Sequence, residues 1–319
     1  MTPGVTGGNP GGSPVQMKAT TRLLWLLAGA LATGVALAAP VLAGATEGFT
    51  LESAQRAAAK GNAQALYDLG KRYARGDGVP QDYGQAAEYL RQAADRGYPL
   101  AENDLGAFCA KGWGVKQDYA EAAKWYRKAA EKGDALAQYS LGRAYWLGRG
   151  VATNLQASLK WLKKAAQQDQ PDAMQTLGEI YLTGGPGIKA DGRQAFHWFL
   201  KAADQGRTGA LCSLGSLFEE GNGAPRNLDL AINCYRQAAE KSDAQAQMSL
   251  GRLCIQGLGV KADVVEAYKW LYLASQNGDG SATGTLIAVR ERLTPAEVLE
   301  ACRRAEDFQR AFGNNAAKR

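Results

Sequence analysis

A Leu-Gly pair returns six times along the 319-residue chain, at Leu69-Gly70, Leu105-Gly106, Leu141-Gly142, Leu177-Gly178, Leu214-Gly215 and Leu250-Gly251. The glycines stand 36, 36, 36, 37 and 36 residues apart. A fixed period in this range writes a stack of supersecondary units, none able to bury its apolar face alone. Length by itself would suggest about two domains, but a stack lengthens without founding new cores.

Each glycine is preceded by alanine at five residues (Ala65, Ala101, Ala137, Ala173, Ala210, Ala246) and followed at three by Tyr73, Cys109, Tyr145, Tyr181, Phe218 or Cys254. With the leucine, these positions fall at i, i+4 and i+8, one stripe of an α-helix. We name it helix A. A glycine inside a helix costs about 1 kcal/mol relative to alanine. Six at one phase imply a close approach by a neighbouring helix backbone.

Helix A runs each time into a Gly-x-Gly turn, from Gly76/Gly78 to Gly257/Gly259, whose first glycine suits the left-handed C′ position. Phosphate-cradling loops open a helix rather than close one, so these glycines are read as terminators. Asp82, Asp118, Asn154, Asp191, Asn227 and Asp263 follow as N-caps of a helix B. Gln85, Glu121, Gln194 and Glu266 stand where a capping box wants them. Helix B carries Tyr89, Trp125, Trp161, Trp198, Cys234 and Trp270 at one place and closes on small pairs such as Ala129-Ala130. The aromatics are expected in the core, since stacking platforms for single strands need exposed rings beside a basic groove.

The pattern A-x-x-x-L-G-x-x-Y-x-x-G-x-G-V, then A-x-x-W-x-x-x-A-A, resembles the SEL-one-like repeat, a relative of the tetratricopeptide repeat. The resemblance implies an all-α fold, an α-solenoid coiled as a right-handed superhelix of helix-turn-helix repeats. Residues 61–278 hold six repeats, 46–60 an N-terminal capping helix, and 279–319 C-terminal capping helices with a frayed tail. Thr294-Pro295-Ala296-Glu297 opens the last helix with a capping box and proline at N1.

Residues 1–16 are rich in glycine and proline and are expected to be disordered or an upstream extension of a chain starting at Met17. From Met17, Lys18 and Arg22 precede an apolar run, Leu23 to Ala39, and small residues at Val41-Leu42-Ala43 and Ala43-Gly44-Ala45. That is the order of a secretory signal over 17–45, cleaved near Ala43 or Ala45. It places the mature protein in the periplasm or outside the cell, with no integral span after cleavage. The mature chain keeps 35 basic and 31 acidic residues, +4 overall. That charge is too weak and scattered for a nucleic-acid surface.

Chemistry is scarce. The single histidine, His197, falls at a helix B place that elsewhere holds Glu88, Lys124, Lys160, Asn233 and Lys269, hence on a solvent face. A histidine-rich zinc site is excluded, and no S-x-x-K, S-D-N or K-T-G motif occurs. The expectation is a non-enzyme with no cofactor and no metal. Cys109, Cys234, Cys254 and Cys302 sit at apolar places; Cys212 stands where Tyr67 and Tyr139 stand, and looks more open. Cys234 and Cys254 replace large residues on adjacent helices, so a disulfide between them is a candidate where their Cα atoms lie within about 7 Å.

What remains is a binding surface. The resemblance implies that helix A lines a concave groove, and that such proteins serve as adaptors or regulators in assemblies, in bacteria often at the envelope. Carried onto this phase, the groove positions are Tyr67, Lys71, Arg75, Asn103, Lys111, Tyr139, Arg143 and Trp146, turning acidic at Gln175, Glu179, Glu219 and Glu220. The leading reading is a monomeric protein-interaction scaffold holding a protein or peptide partner. A specific inhibitor or immunity protein against an exported toxin is the alternative, an envelope hydrolase a remote one. Sequencing the N-terminus of protein from fractionated cells checks the export reading: the mature chain should start just after Ala43 or Ala45, whereas cytosolic protein retaining Met17 would remove it.

Overall fold

The computed structural model describes residues 50–313. The segments read as upstream extension, signal and terminal tail lie outside the described residues. A short helix, α1 (Leu51–Ala59), is followed by six hairpins. They are α2 (Ala63–Arg75) with α3 (Tyr83–Asp95), α4 (Pro99–Lys111) with α5 (Tyr119–Glu131), and α6 (Ala135–Leu147) with α7 (Leu155–Ala166). Next come α8 (Pro171–Thr183) with α9 (Gly192–Asp204), α10 (Thr208–Glu220) with α11 (Leu228–Ala239), and α12 (Ala244–Gln256) with α13 (Val264–Gln276). Two further helices, α14 (Gly280–Arg290) and α15 (Pro295–Phe312), complete the described residues. From α1 to α14 each helix packs on its chain neighbours, whereas α15 packs on α13. The fold is an all-α repeat stack.

The glycine of each A helix has a definite occupant. A Cβ on Gly142 would stand 2.7 Å from Leu162 Cγ, and one on Gly178 2.6 Å from Phe199 Cε1. Leu90, Tyr126, Tyr235 and Leu271 fill the other four repeats, with the Ala86, Ala122 and Ala267 carbonyls at 3.2–3.4 Å behind three of them. The close approach is therefore made first by a large side chain and second by backbone. That side chain is the residue after the expected aromatic. Leu90, Leu162, Phe199 and Leu271 are fully buried, while Tyr89, Trp161 and Trp198 are only half-buried. Trp125 and Trp270 are buried as expected.

Every helix B is capped as the sequence predicts, the Asp or Asn side chain accepting from an N2 or N3 amide. The reciprocal half of the capping box is different. The cap's own amide donates to helix A: Asp82 to the Tyr73 carbonyl at 2.9 Å, Asp118 to Cys109 at 2.9 Å, Asp191 to Tyr181 at 2.7 Å. That bond satisfies an orphan carbonyl at the end of helix A and leaves the N3 side chain free. Glu121 accordingly accepts from Trp125 Nε1 at 2.8 Å. Among the described residues the full box forms at Thr294, whose amide donates to Glu297 at 2.8 Å rather than to a preceding helix.

The extra residue of the fourth turn is absorbed between helices: Gly185 and Ile188 exchange amide–carbonyl bonds of 2.8 Å in both directions. At the far end α15 seals α13, with Phe308 edge-on to Trp270 at 4.9 Å and Arg304 reaching Glu266 at 3.4 Å.

The second glycine of the turn packs one repeat against the next. Gly150 has φ +74°, and a Cβ there would lie 1.8 Å from the Tyr119 carbonyl oxygen of the preceding helix B. Gly78 has the same φ, +74°, but nothing within 4 Å. Gly78→Ala should therefore cost only the left-handed backbone penalty, about 1–2 kcal/mol. Gly150→Ala should cost about 3 kcal/mol or more, the seam having to open as well. Urea unfolding midpoints of the two variants test the difference; equal shifts would mean that the turn conformation alone matters.

Candidate interaction groove

Three of the residues selected from the sequence, Lys111, Tyr139 and Arg143, come together in one groove of about 500 Å³ between the α4–α5 hairpin and α6. The structure adds residues that sequence reasoning missed: Trp113 and Arg149 from the Gly-x-Gly turns, and Tyr119 and Tyr126 from α5. Among the described residues no carboxylate lines the groove. Its cations lie on its rings, Lys111 Nζ 3.9 Å from the Trp113 centroid, Arg143 5.6 Å from Tyr139, and Arg149 5.7 Å from Tyr119. Trp113 is also stacked on Tyr83 at 5.3 Å. Trp113 and Tyr119 remain 37% and 38% exposed, large rings held open to solvent by backbone turns. A signal was available: the residue between the turn glycines is Asp77 and Asn222 in two other repeats, and tryptophan here.

The wall is uncharged apart from its cations. Burial first pushes the Tyr126 phenol up to about 12, and burial likewise raises Tyr139 against the pull of Arg143. Both stay neutral hydroxyls at physiological pH, able to donate.

The other selected positions do not join this groove. Asn103 is buried, its amide nitrogen donating to Asp104 at 3.3 Å. Lys71 bonds Asp104 across the repeat seam at 2.6 Å, and the Tyr67 hydroxyl donates to the same carboxylate at 3.3 Å. Burial and then Asp104 raise the Tyr67 phenol further. Gln175 donates to Glu179 at 3.0 Å. Glu219 is held by Arg252 at 2.6 Å and accepts from Tyr235 at 3.1 Å. The expected change of sign along the A face is thus partly spent on stitching repeats together. Arg75 and Glu220 are exposed and Trp146 half-buried, away from the groove.

The family can now be stated from comparison. A model of the Sel1 repeat matches residues 63–98, 99–134, 135–170, 171–206, 208–243 and 244–279. This chain belongs to the Sel1-repeat family. Among solved structures it is similar to c5321, a protective antigen of uropathogenic Escherichia coli with an SLR fold. The identity is 34% over 81% of this chain, with a TM-score of 0.70. The chain spans only 56% of c5321's length. It is also similar to a Sel1 repeat protein from Oxalobacter formigenes, 31% identical over 70% of this chain and 86% of that one, TM-score 0.63. No curated protein matches.

Within this Sel1 stack no group of three or more potential metal ligands occurs among the described residues, and no described helix is long and apolar enough to cross a membrane. His197 is exposed; partial burial first, then Lys201, lowers its imidazole pKa.

The cysteines correct two expectations. Cys212 is buried, not open, and Cys234 and Cys254 are free thiols rather than a bridge. The reason lies in the seam. The helix A aromatic place meets the residue two beyond the helix B aromatic place of the preceding repeat, as Arg127 meets Tyr145 and Lys163 meets Tyr181. By that register Cys254 faces Arg236, not Cys234, and Arg236 acts on its thiol. Burial pushes Cys212 and Cys234 up to about 12 and Cys254 up to about 11, and the thiolate is the reactive form. Thiol titration at pH 8 without reductant should label the half-buried Cys302 first and all five on unfolding. Three thiols instead of five in the unfolded sample would mean that a bridge forms after all.

Proposed function

We propose that this Sel1-repeat protein is an exported, non-enzymatic interaction scaffold that docks an acidic segment of a protein partner in the groove between α4–α5 and α6. The observation that carries this reading is the composition of the groove: Lys111, Arg143 and Arg149 face Trp113, Tyr119 and Tyr139 with no carboxylate in the wall. Aromatic and arginine side chains in desolvated pockets are the usual anchors of protein interfaces. A one-signed lining selects partners by charge and speeds their encounter. Protein interaction is also the general role of Sel1 repeats. Export rests on the Lys18 to Ala45 pattern.

The test is affinity capture from the organism's envelope fraction with the mature chain, repeated with Tyr139→Ala and Arg143→Ala. Each change should weaken a captured partner by about 1–3 kcal/mol, binding should fall with salt, and the far-UV helical signal should persist. Recovery of several envelope proteins supports a scaffold; a single toxin would support an inhibitor instead. Partners that survive the double substitution but are lost on changing Lys124 and Lys160 of the B helices would place the interface on the other face.

A further inference from the structure

A different part of the stack departs from the third and fourth repeats at one seam contact. In the third repeat Tyr145 packs beside Trp161 against Ala129, Ala137 and Leu141. Arg127 of the preceding B helix lies 6.0 Å over its ring and donates to its hydroxyl at 2.7 Å. In the fourth repeat Lys163 stands 5.7 Å over Tyr181. A phenol on the A helix, covered by a cation from the previous B helix, thus forms the seam contact of the third and fourth repeats.

The sixth repeat keeps the cation and has cysteine at the phenol's place, as the second repeat does with Cys109 and Arg91. Arg236 is in place on α11, and the tyrosine position is Cys254. An open cavity of about 630 Å³ lies there, lined by Arg236, Cys254, Trp270, Leu253 and Ile232, with Arg292 from the C-terminal cap on its rim. Three carboxylates also reach it, and each is already engaged. Asp263 caps α13, Glu266 holds Lys269 at 2.6 Å, and Glu297 accepts from Thr294 at 2.8 Å. Arg236 and Arg292 hold no ion pair among the described residues.

We propose that this cavity binds a small aromatic carboxylate, whose ring takes the place of the missing phenol and whose anionic group meets Arg236 and Arg292. One side of the cavity is apolar, formed by Ile232, Leu253, Cys254 and the Trp270 ring, and such a wall beside a few polar groups suits a small aromatic ligand. Two unpaired guanidiniums at its rim select an anion, since Arg matches a carboxylate with paired donors. The Trp270 ring supplies an aromatic wall beside the incoming one. The cavity lies in the fifth and sixth repeats, outside the partner groove, so the inference stands whether or not that groove docks a protein.

The experiment is calorimetric titration of the full mature chain with 4-hydroxybenzoate. Saturable one-to-one binding with a Kd below about 1 mM is expected. 4-Hydroxybenzyl alcohol, which has the ring without the carboxylate, should bind at least tenfold more weakly, as should 4-hydroxybenzoate to Arg236→Gln. Cys254→Tyr, which restores the family's ring, should abolish binding. Arg236 is exposed, so its variant keeps the question decidable if Cys254→Tyr misfolds. No saturation by 10 mM, equal binding of the alcohol, or undiminished binding by Arg236→Gln or a folded Cys254→Tyr would each overturn the proposal.

Discussion

The stack depends on a missing side chain. At each Leu-Gly glycine, helix A gives up its Cβ so that a leucine, tyrosine or phenylalanine of helix B can reach the helix surface. The loss of helix propensity is about 1 kcal/mol, while full burial of a Leu or Phe side chain contributes about 1.5–3 kcal/mol. The exchange is favourable only if the partner side chain arrives at one place, which fixes the rotation of B on A. Once that is fixed, the cap amide of helix B falls within bonding distance of a helix A carbonyl. The turn joining them is then determined at both ends. The second turn glycine extends the same logic outward, bringing the backbone of one hairpin onto the start of the preceding helix B.

This explains which parts of the molecule the sequence makes legible. Helix existence, order and caps were readable because each rests on local chemistry repeated six times: the Asp or Asn caps, the terminating glycine, the apolar period. Tertiary choices were less readable. Tyr89 and Leu90 are both large and adjacent, and only the packed structure shows that Leu90 fills the notch. The capping boxes looked complete from residues alone, but their second half depended on whether the cap amide was free, and an A helix had already taken it. The groove was half visible. Lys111, Tyr139 and Arg143 follow from helix phase, whereas Trp113 and Arg149 lie in turns, where no periodicity says which way a side chain points.

The positive charge has a structural use as well. Lys128 lies 3.8 Å over Trp125, Lys164 4.7 Å over Trp161 and Lys201 5.0 Å over Trp198, each three residues along one turn of helix B. These lysines lay their stems along the rings, buried at Trp125 and half-buried at Trp161 and Trp198, and keep their heads in water, each contact contributing about 0.5–1 kcal/mol at an exposed site. Part of the positive charge is therefore placed as lids over aromatic residues in the second, third and fourth repeats. What distinguishes the groove is the concentration of such pairs from two repeats in one concavity without an acid to balance them.

A stack of this kind carries its energetics in nearest-neighbour seams. Positions that build the seam are held alike in every repeat: the glycine, its occupant and the cap. Other positions vary, the helix A aromatic place at the seam among them, and both candidate sites lie at such variations. The groove forms where a turn residue became tryptophan, and the cavity where a seam tyrosine became cysteine. Because each repeat touches chiefly its neighbours, a ligand at either place stabilises its own hairpins first and reaches the other only through the seams between them. The cross-repeat pairs Lys71–Asp104 and Arg252–Glu219 stiffen seams near the two ends of the stack. Specialisation of single repeats is thus compatible with a common frame, since a change off the seam costs the rest of the stack little.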